Sequence, residues 1–220
     1  MVSRILVTGG TGFIGGALLE RLVRTERLQV LAWVRRADAA LPAGVTPVHA
    51  AADAPLPAVD TVVHCAGRVH VMRDSEPDPL AAFREANVEL TVRLARLAVA
   101  SGARRFVFLS TIKVNGEATV PGHPFRPEDI PSPGDTYAQS KLEAEQALLR
   151  LGRETGLQIV IIRTPLVYGP GVRANFQSML RWLNRGVPLP LGAIDNRRTL
   201  VALDNPVSYT HLTLPTKRIV

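Results

Sequence analysis

One cysteine, Cys65, occurs in 220 residues, so no internal disulfide framework is available. Lysine is almost as scarce: Lys113, Lys141 and Lys217 are the only three among 26 cationic side chains. Aromatic residues make up 5% of the chain, and no hydrophobic run approaches the roughly 20 residues that span a bilayer. Residues 1–6 lack the apolar stretch of a signal peptide and lead straight into a strand pattern, so a cytoplasmic protein without membrane insertion is expected. The formal charge is +7, yet the arginines are scattered, with no block of five or six and no interleaved aromatics. That pattern argues against nucleic-acid binding and suits attraction of an anionic small molecule. No metal site is expected. What remains is 46% hydrophobic and 20% charged, the composition of one globular domain with a substantial core.

Apolar periodicity orders the chain. Short buried strands are expected at 3–8, 28–34, 45–49, 60–66, 105–110 and 158–164. Helices fall between them: Phe13, Ala17, Leu18 and Leu22 mark one face, and Leu80, Phe83, Asn87, Leu90, Leu94 and Leu97 another. Further helices are expected over 135–155, entered at Asp135-Thr136, and over 175–185, and the proline-rich stretch 120–134 reads as a loop. Strands alternating with helices predict an α/β, Rossmann-like parallel sheet doubly wound by helices.

Residues 8–15 (TGGTGFIG) lie between the first strand and the first helix, with Gly9, Gly12 and Gly15 spaced three apart. Glycines there allow a tight turn and close approach of backbone to a pyrophosphate, while a helix N-terminus offers N–H donors. The candidate cofactor residues in this loop are Gly9, Gly12, Phe13, Ile14 and Gly15. An acid ending the second strand would favour NAD. Val34 stands there instead, followed by Arg35 and Arg36, which suit the 2′-phosphate of NADP. The cofactor is therefore NADP or NAD, with NADP slightly favoured. Asp53 is a candidate adenine contact, and Ala66 and Gly67 are small residues past which the cofactor would run. Cys65 and His64 read as packing residues rather than chemistry.

Tyr137 and Lys141 share one helix face at i, i+4. A phenol near pKa 10 is a poor base at neutrality. A nearby ammonium and a bound nicotinamide cation would both favour the phenolate. Lys141 would also bind the nicotinamide ribose. The glycine loop and this YAQSK segment, together with 60–67 (DTVVHCAG), Asn87-Val88, 109–116 (LSTIKVNG) and 162–170 (IRTPLVYGP), resemble the extended short-chain dehydrogenases/reductases, specifically the NAD(P)-dependent nucleotide-sugar epimerase/dehydratase family. The resemblance covers residues 5–205. It implies a catalytic hydroxyl after the fifth strand, at Thr111 with Ser110 as the alternative. It implies Tyr137 as acid/base, and Asn175 and Arg197 as contacts to the substrate's diphosphate. Asn87 reads as a support for the site.

Departures from the family narrow the chemistry. Ile112 and Lys113 replace the Asp-Glu pair of the 4,6-dehydratases, which argues against water elimination, and Leu166 replaces a substrate-contacting Asn. The expected activity is oxidoreduction at C4 of a nucleotide-linked, UDP-type hexose. A UDP-4-keto-6-deoxy sugar 4-ketoreductase is favoured slightly over a UDP-glucose or UDP-N-acetylglucosamine 4-epimerase. A non-catalytic cofactor-binding regulatory protein is the alternative of another class. The long helices would allow a homodimer. The expected organisation is a cofactor domain over 1–165 and a partial substrate region over 166–206. Residues 207–220 resemble the translation of a transposon-type adapter, so a truncated chain with weak or no turnover is expected.

Overall fold

The computed structural model describes residues 2–49, 54–69, 77–120, 122–172, 174–186 and 198–212. Among them, β1 (Ser3–Thr8), β2 (Leu28–Val34), β3 (Thr46–His49), β4 (Thr61–His64), β5 (Arg105–Thr111) and β6 (Gln158–Thr164) form a parallel sheet in the order β3-β2-β1-β4-β5-β6. A doubly wound parallel sheet is what the sequence implies, and the structure supplies its strand order. The chain winds outward from β1 in one direction and then restarts beside β1 with β4. The crevice outside the C-terminal ends of β1 and β4 is thus the topological switch point, where such sheets bind ligands.

Alternation along the strands makes the two cores. Leu6, Leu31, Val62, Phe106 and Phe108 point to one face. There they meet Leu94, Ala95 and Ala98 of α3 (Leu90–Ala100) and Ala144, Leu148 and Leu151 of α4 (Thr136–Thr155). Ile5, Val7, Val30, Ala32, Val63 and Val107 point to the other, against Leu18, Leu19 and Leu22 of α1 (Phe13–Leu22). Strands buried on both faces read as continuous apolar runs, as these do.

Three features differ from the periodicity. The fourth strand is shorter than 60–66: after His64 the chain leaves the sheet, and the amides of Cys65 and Ala66 turn back to the Thr8 carbonyl and hydroxyl. The helix expected through Leu80 to Leu97 is α2 (Pro79–Arg84), a π turn over Glu85–Glu89, and then α3. The wider turn carries Asn87 to the buried face and shifts the following stripe to Thr91, Leu94, Ala95 and Ala98, leaving Leu90 and Leu97 half-buried. Past β6, β7 (Leu166–Tyr168) pairs in parallel with β8 (Leu200–Ala202) as a separate two-stranded sheet, with α5 (Ala174–Asn184) between them. α6 (Asp204–Leu212) then crosses position 207, and Val207 is buried in the same core as α1. No helix among the described residues is long and apolar enough to cross a membrane.

Candidate active site

The glycine loop is built to bring backbone close to a ligand. Gly9 has φ +71°, and a Cβ there would lie 2.7 Å from the Ala66 amide nitrogen. A Cβ on Gly15 would run into the Gly9 carbonyl oxygen. No other residue fits either place. Gly12, at the N-cap of α1, offers no capping side chain, and the first turn carries no acid. The N-terminal amides at Phe13, Ile14 and Gly15 and their positive end of the helix dipole therefore face the crevice. Such a cradle, uncapped and closed to any Cβ, fits the pyrophosphate of a dinucleotide.

Thr8 and His64 end the two strands that flank the crevice. The Thr8 hydroxyl accepts from the Ala66 amide and donates to His64 Nδ1 at 2.6 Å, while His64 Nε2 donates to Thr91 Oγ1 at 2.9 Å. Thr91 in turn donates to the Asn87 carbonyl at 2.7 Å. Because Thr91 donates onward to Asn87, His64 Nε2 carries a proton, and the lowered pKa leaves Nδ1 as the acceptor. Burial, reinforced by the Lys141 charge, holds its pKa down at about 3. His64 is structural, and burial likewise pushes the Cys65 thiol up to about 12, so neither is a nucleophile.

Asn87 clamps the loop after β4. Its side-chain oxygen accepts from the Arg68 amide at 2.7 Å, and its nitrogen donates to the Arg68 carbonyl and to Ser140 Oγ at 3.0 Å each. Ser140 Oγ donates to the Tyr137 carbonyl at 2.7 Å. The cofactor-side loop and the Tyr137–Lys141 helix are thereby joined through one amide side chain on the π turn.

Asp135 caps α4, accepting from the Ala138 amide at 2.6 Å. Tyr137 and Lys141 follow on the inner face. The Lys141 side chain is buried, with Nζ 4.1 Å from the centre of the Phe108 ring and 3.8 Å from where a Cβ of Gly67 would stand. Among the described residues its ammonium donates no hydrogen bond. Burial lowers its pKa to about 8 against the opposing pulls of Cys65 and, after it, Glu145. The Tyr137 ring lies 6.1 Å from that of Phe83 on α2. Its phenol is pushed up to about 12, first by burial and then by Asp135. The expected lowering by Lys141 is therefore not what this arrangement gives: the ammonium sits over Phe108, and the charge that reaches the phenol is a carboxylate.

The two candidate hydroxyls separate. Ser110 donates to Glu145 Oε1 and is tied up in the core. Thr111, at the end of β5, accepts from the Lys113 amide at 3.3 Å, which leaves its own proton for a ligand. Arg36 at the end of β2 pairs with Asp38 at 3.2 Å, and both are exposed, as is Arg35. Asn175 lies in the first turn of α5, and Asp53 and Arg197 lie outside the described residues. The site thus gathers Gly9, Gly12, Gly15, Ala66, Gly67 and Lys141 around one crevice, with Tyr137 on the same helix face as Lys141. Behind it, Glu145, Arg163 and Asn115 form a hydrogen-bonded cluster with Ser110 that the sequence reading does not contain. Glu145 repeats the i, i+4 spacing one turn beyond Lys141, which was the available signal. No group of three or more His, Cys, Asp or Glu among the described residues could hold a metal.

The pattern of the NAD dependent epimerase/dehydratase family matches residues 5–218. The chain belongs to that family. It is 46% identical over 213 residues to a UDP-glucose 4-epimerase of Vibrio cholerae, a match covering 94% of this chain and 65% of that protein. It is 28% identical over 209 residues to a UDP-2-acetamido-2,6-beta-L-arabino-hexul-4-ose reductase of Pseudomonas aeruginosa, covering 93% of this chain and 47% of the relative. Among solved structures, MoeE5 in complex with UDP-glucuronic acid and NAD superposes with a TM-score of 0.80 at 28% identity, covering 98% of this chain and 73% of that one. The chain therefore spans less than two thirds of the length of these curated relatives.

Proposed function

We propose that this chain carries the cofactor site and proton-transfer groups of a nucleotide-sugar 4-epimerase, with a UDP-hexose as substrate and NAD as cofactor. The observation that carries the reading is Lys141: a buried ammonium, 4% exposed, beside the glycine cradle and one helical turn from Tyr137. A cation placed there without an acceptor is costly unless it binds something. Similarity to the Vibrio cholerae epimerase supports epimerisation over the ketoreductase that the sequence alone favours. The Arg36–Asp38 pair supports NAD over NADP, because a carboxylate already occupies one of the two guanidinium groups.

In this reading the α1 amides and the loop around Gly9 and Gly15 hold the pyrophosphate, and Lys141 Nζ donates to the nicotinamide ribose. NAD, when bound, supplies the hydride acceptor that returns hydride to the sugar. Tyr137, as the phenolate, would take the proton from the sugar C4 hydroxyl, becoming the phenol, and would give it back when the C4 ketone is reduced. At a pKa of about 12 the phenol is protonated in the protein alone, so its role as base relies on positive charge brought beside it. Thr111 Oγ donates to the same C4 oxygen and holds it during transfer. Ile112 and Lys113 offer no carboxyl group for elimination, which separates this site from dehydratase chemistry.

Incubation with UDP-glucose, followed by proton NMR, tests the reading. Whatever turnover the chain shows should yield UDP-galactose without net change in the cofactor, and Tyr137→Phe should lower that rate by about 10²-fold or more. Steady NADPH consumption with a UDP-4-keto-6-deoxyhexose, and no interconversion, would support the reductase instead.

A further inference from the structure

Behind the Lys141 helix face lies a buried polar cluster with no part in the chemistry above. Glu145 is 2% exposed and sits one turn beyond Lys141 on α4. Its carboxylate accepts from Ser110 on β5 and from Nε and Nη2 of Arg163 on β6, the latter at 2.6 Å. Arg163 Nη1 reaches on to Asn115 Oδ1 at 3.1 Å, and Asn115 Nδ2 donates to the Arg126 carbonyl at 3.1 Å. One carboxylate therefore joins the helix of Tyr137 and Lys141, the strand end that leads into Thr111, and the loop that follows it. Burying an ion pair in this way is expensive, and hydrophobic side chains of similar size would hold the same elements together as well. A role for the charge itself is the more economical account.

We propose that Glu145 is a positioning residue for the reaction centre: it supplies the counter-charge of the Lys141 ammonium and locks the Ser110–Thr111 strand end against α4. The groups that face Lys141 are His64 and Cys65 from the end of β4, the Phe108 ring from β5, Asn87 from the π turn, and Tyr137 and Glu145 from α4 itself. His64 is neutral above about 3, and Cys65 is neutral below about 12. Glu145 is the carboxylate among them, one turn from Lys141 on α4 and held by Arg163 at 2.6 Å, and with Cys65 it opposes the desolvation that would strip Lys141 of its proton. Arg163 holds the carboxylate in place while partly offsetting its charge.

The inference rests on the reading of Lys141 as the cofactor-facing ammonium, but its test needs no cofactor, so the two can fail separately. With three lysines in the chain, 13C-lysine NMR follows the Lys141 titration directly. The wild-type midpoint is expected near 8. Glu145→Gln should lower it by about one pH unit, since an opposite charge nearby is removed. Arg163→Gln should move it the other way, because Glu145 then acts without its neutralising partner. A rise of the midpoint toward the ordinary 10.5 in both variants would signal a general loosening of the fold and would also overturn the proposal. An unchanged Lys141 midpoint in natively folded Glu145→Gln overturns the proposal. So does failure of both variants to fold, which would make the cluster a device of the fold alone. NAD binding that fails in the wild type while the titration behaves as expected would overturn the functional reading and leave this one standing.

Discussion

Single residues here trade stability for a site. Lys141 has a pKa near 8 in the folded protein, against an ordinary value of 10.5. The unfolded chain therefore binds its proton more tightly, and burial of the ammonium costs roughly 3 kcal/mol below pH 8, a cost that fades as pH rises through 8 toward 10.5. Lys141→Met is expected to raise the denaturation midpoint at pH 7 while removing cofactor binding. A destabilised Lys141→Met protein in urea unfolding would contradict this. His64 works in the other pH window. Its folded pKa of about 3 lies below the ordinary 6.5, so the unfolded chain takes up a proton first as pH falls. Stability should decline from pH 6.5 downward, with His64 contributing on the order of 4 kcal/mol by the time pH reaches its folded pKa, read as a falling urea midpoint. Gly15→Ala should cost about 1–3 kcal/mol by forcing its new carbon against the Gly9 carbonyl, and should weaken dinucleotide binding with it.

At the scale of elements, the strands and the glycine turn were legible because both obey local rules: apolar runs bounded by turns, and glycines where no Cβ fits. The π turn over Glu85–Glu89 was not, since Leu80, Phe83, Asn87, Leu90 and Leu94 satisfy ordinary helical spacing until the packing of Asn87 against Arg68 and Ser140 is known. Tyr137 and Lys141 announced themselves by spacing, but their electrostatics did not. Asp135 marks a helix start in the sequence, and only the fold shows that the same carboxylate raises the Tyr137 phenol and accepts from Lys113 Nζ at 2.6 Å. Asp135→Asn keeps a capping side chain and removes the charge. It is expected to lower the Tyr137 pKa from about 12, seen by 13C-tyrosine NMR; an unmoved titration would assign the whole shift to burial. Glu145 and Arg163 come from segments 18 residues apart, and their pairing depends on α4 crossing β6, which no local pattern encodes.

At the scale of the molecule, the switch point between β1 and β4 gathers every strand end that matters: the glycine loop after β1, Ala66 and Gly67 after β4, and Thr111 after β5, with α4 laid alongside. The fold sets where a dinucleotide goes, and the side chains set what happens there. The most direct measurement is calorimetric titration of the protein with NAD and, separately, with NADP. Binding of NAD, tighter than NADP and lost in Lys141→Met, is the result this account predicts. No binding of either dinucleotide, or affinity that survives the loss of the Lys141 ammonium unchanged, would contradict it.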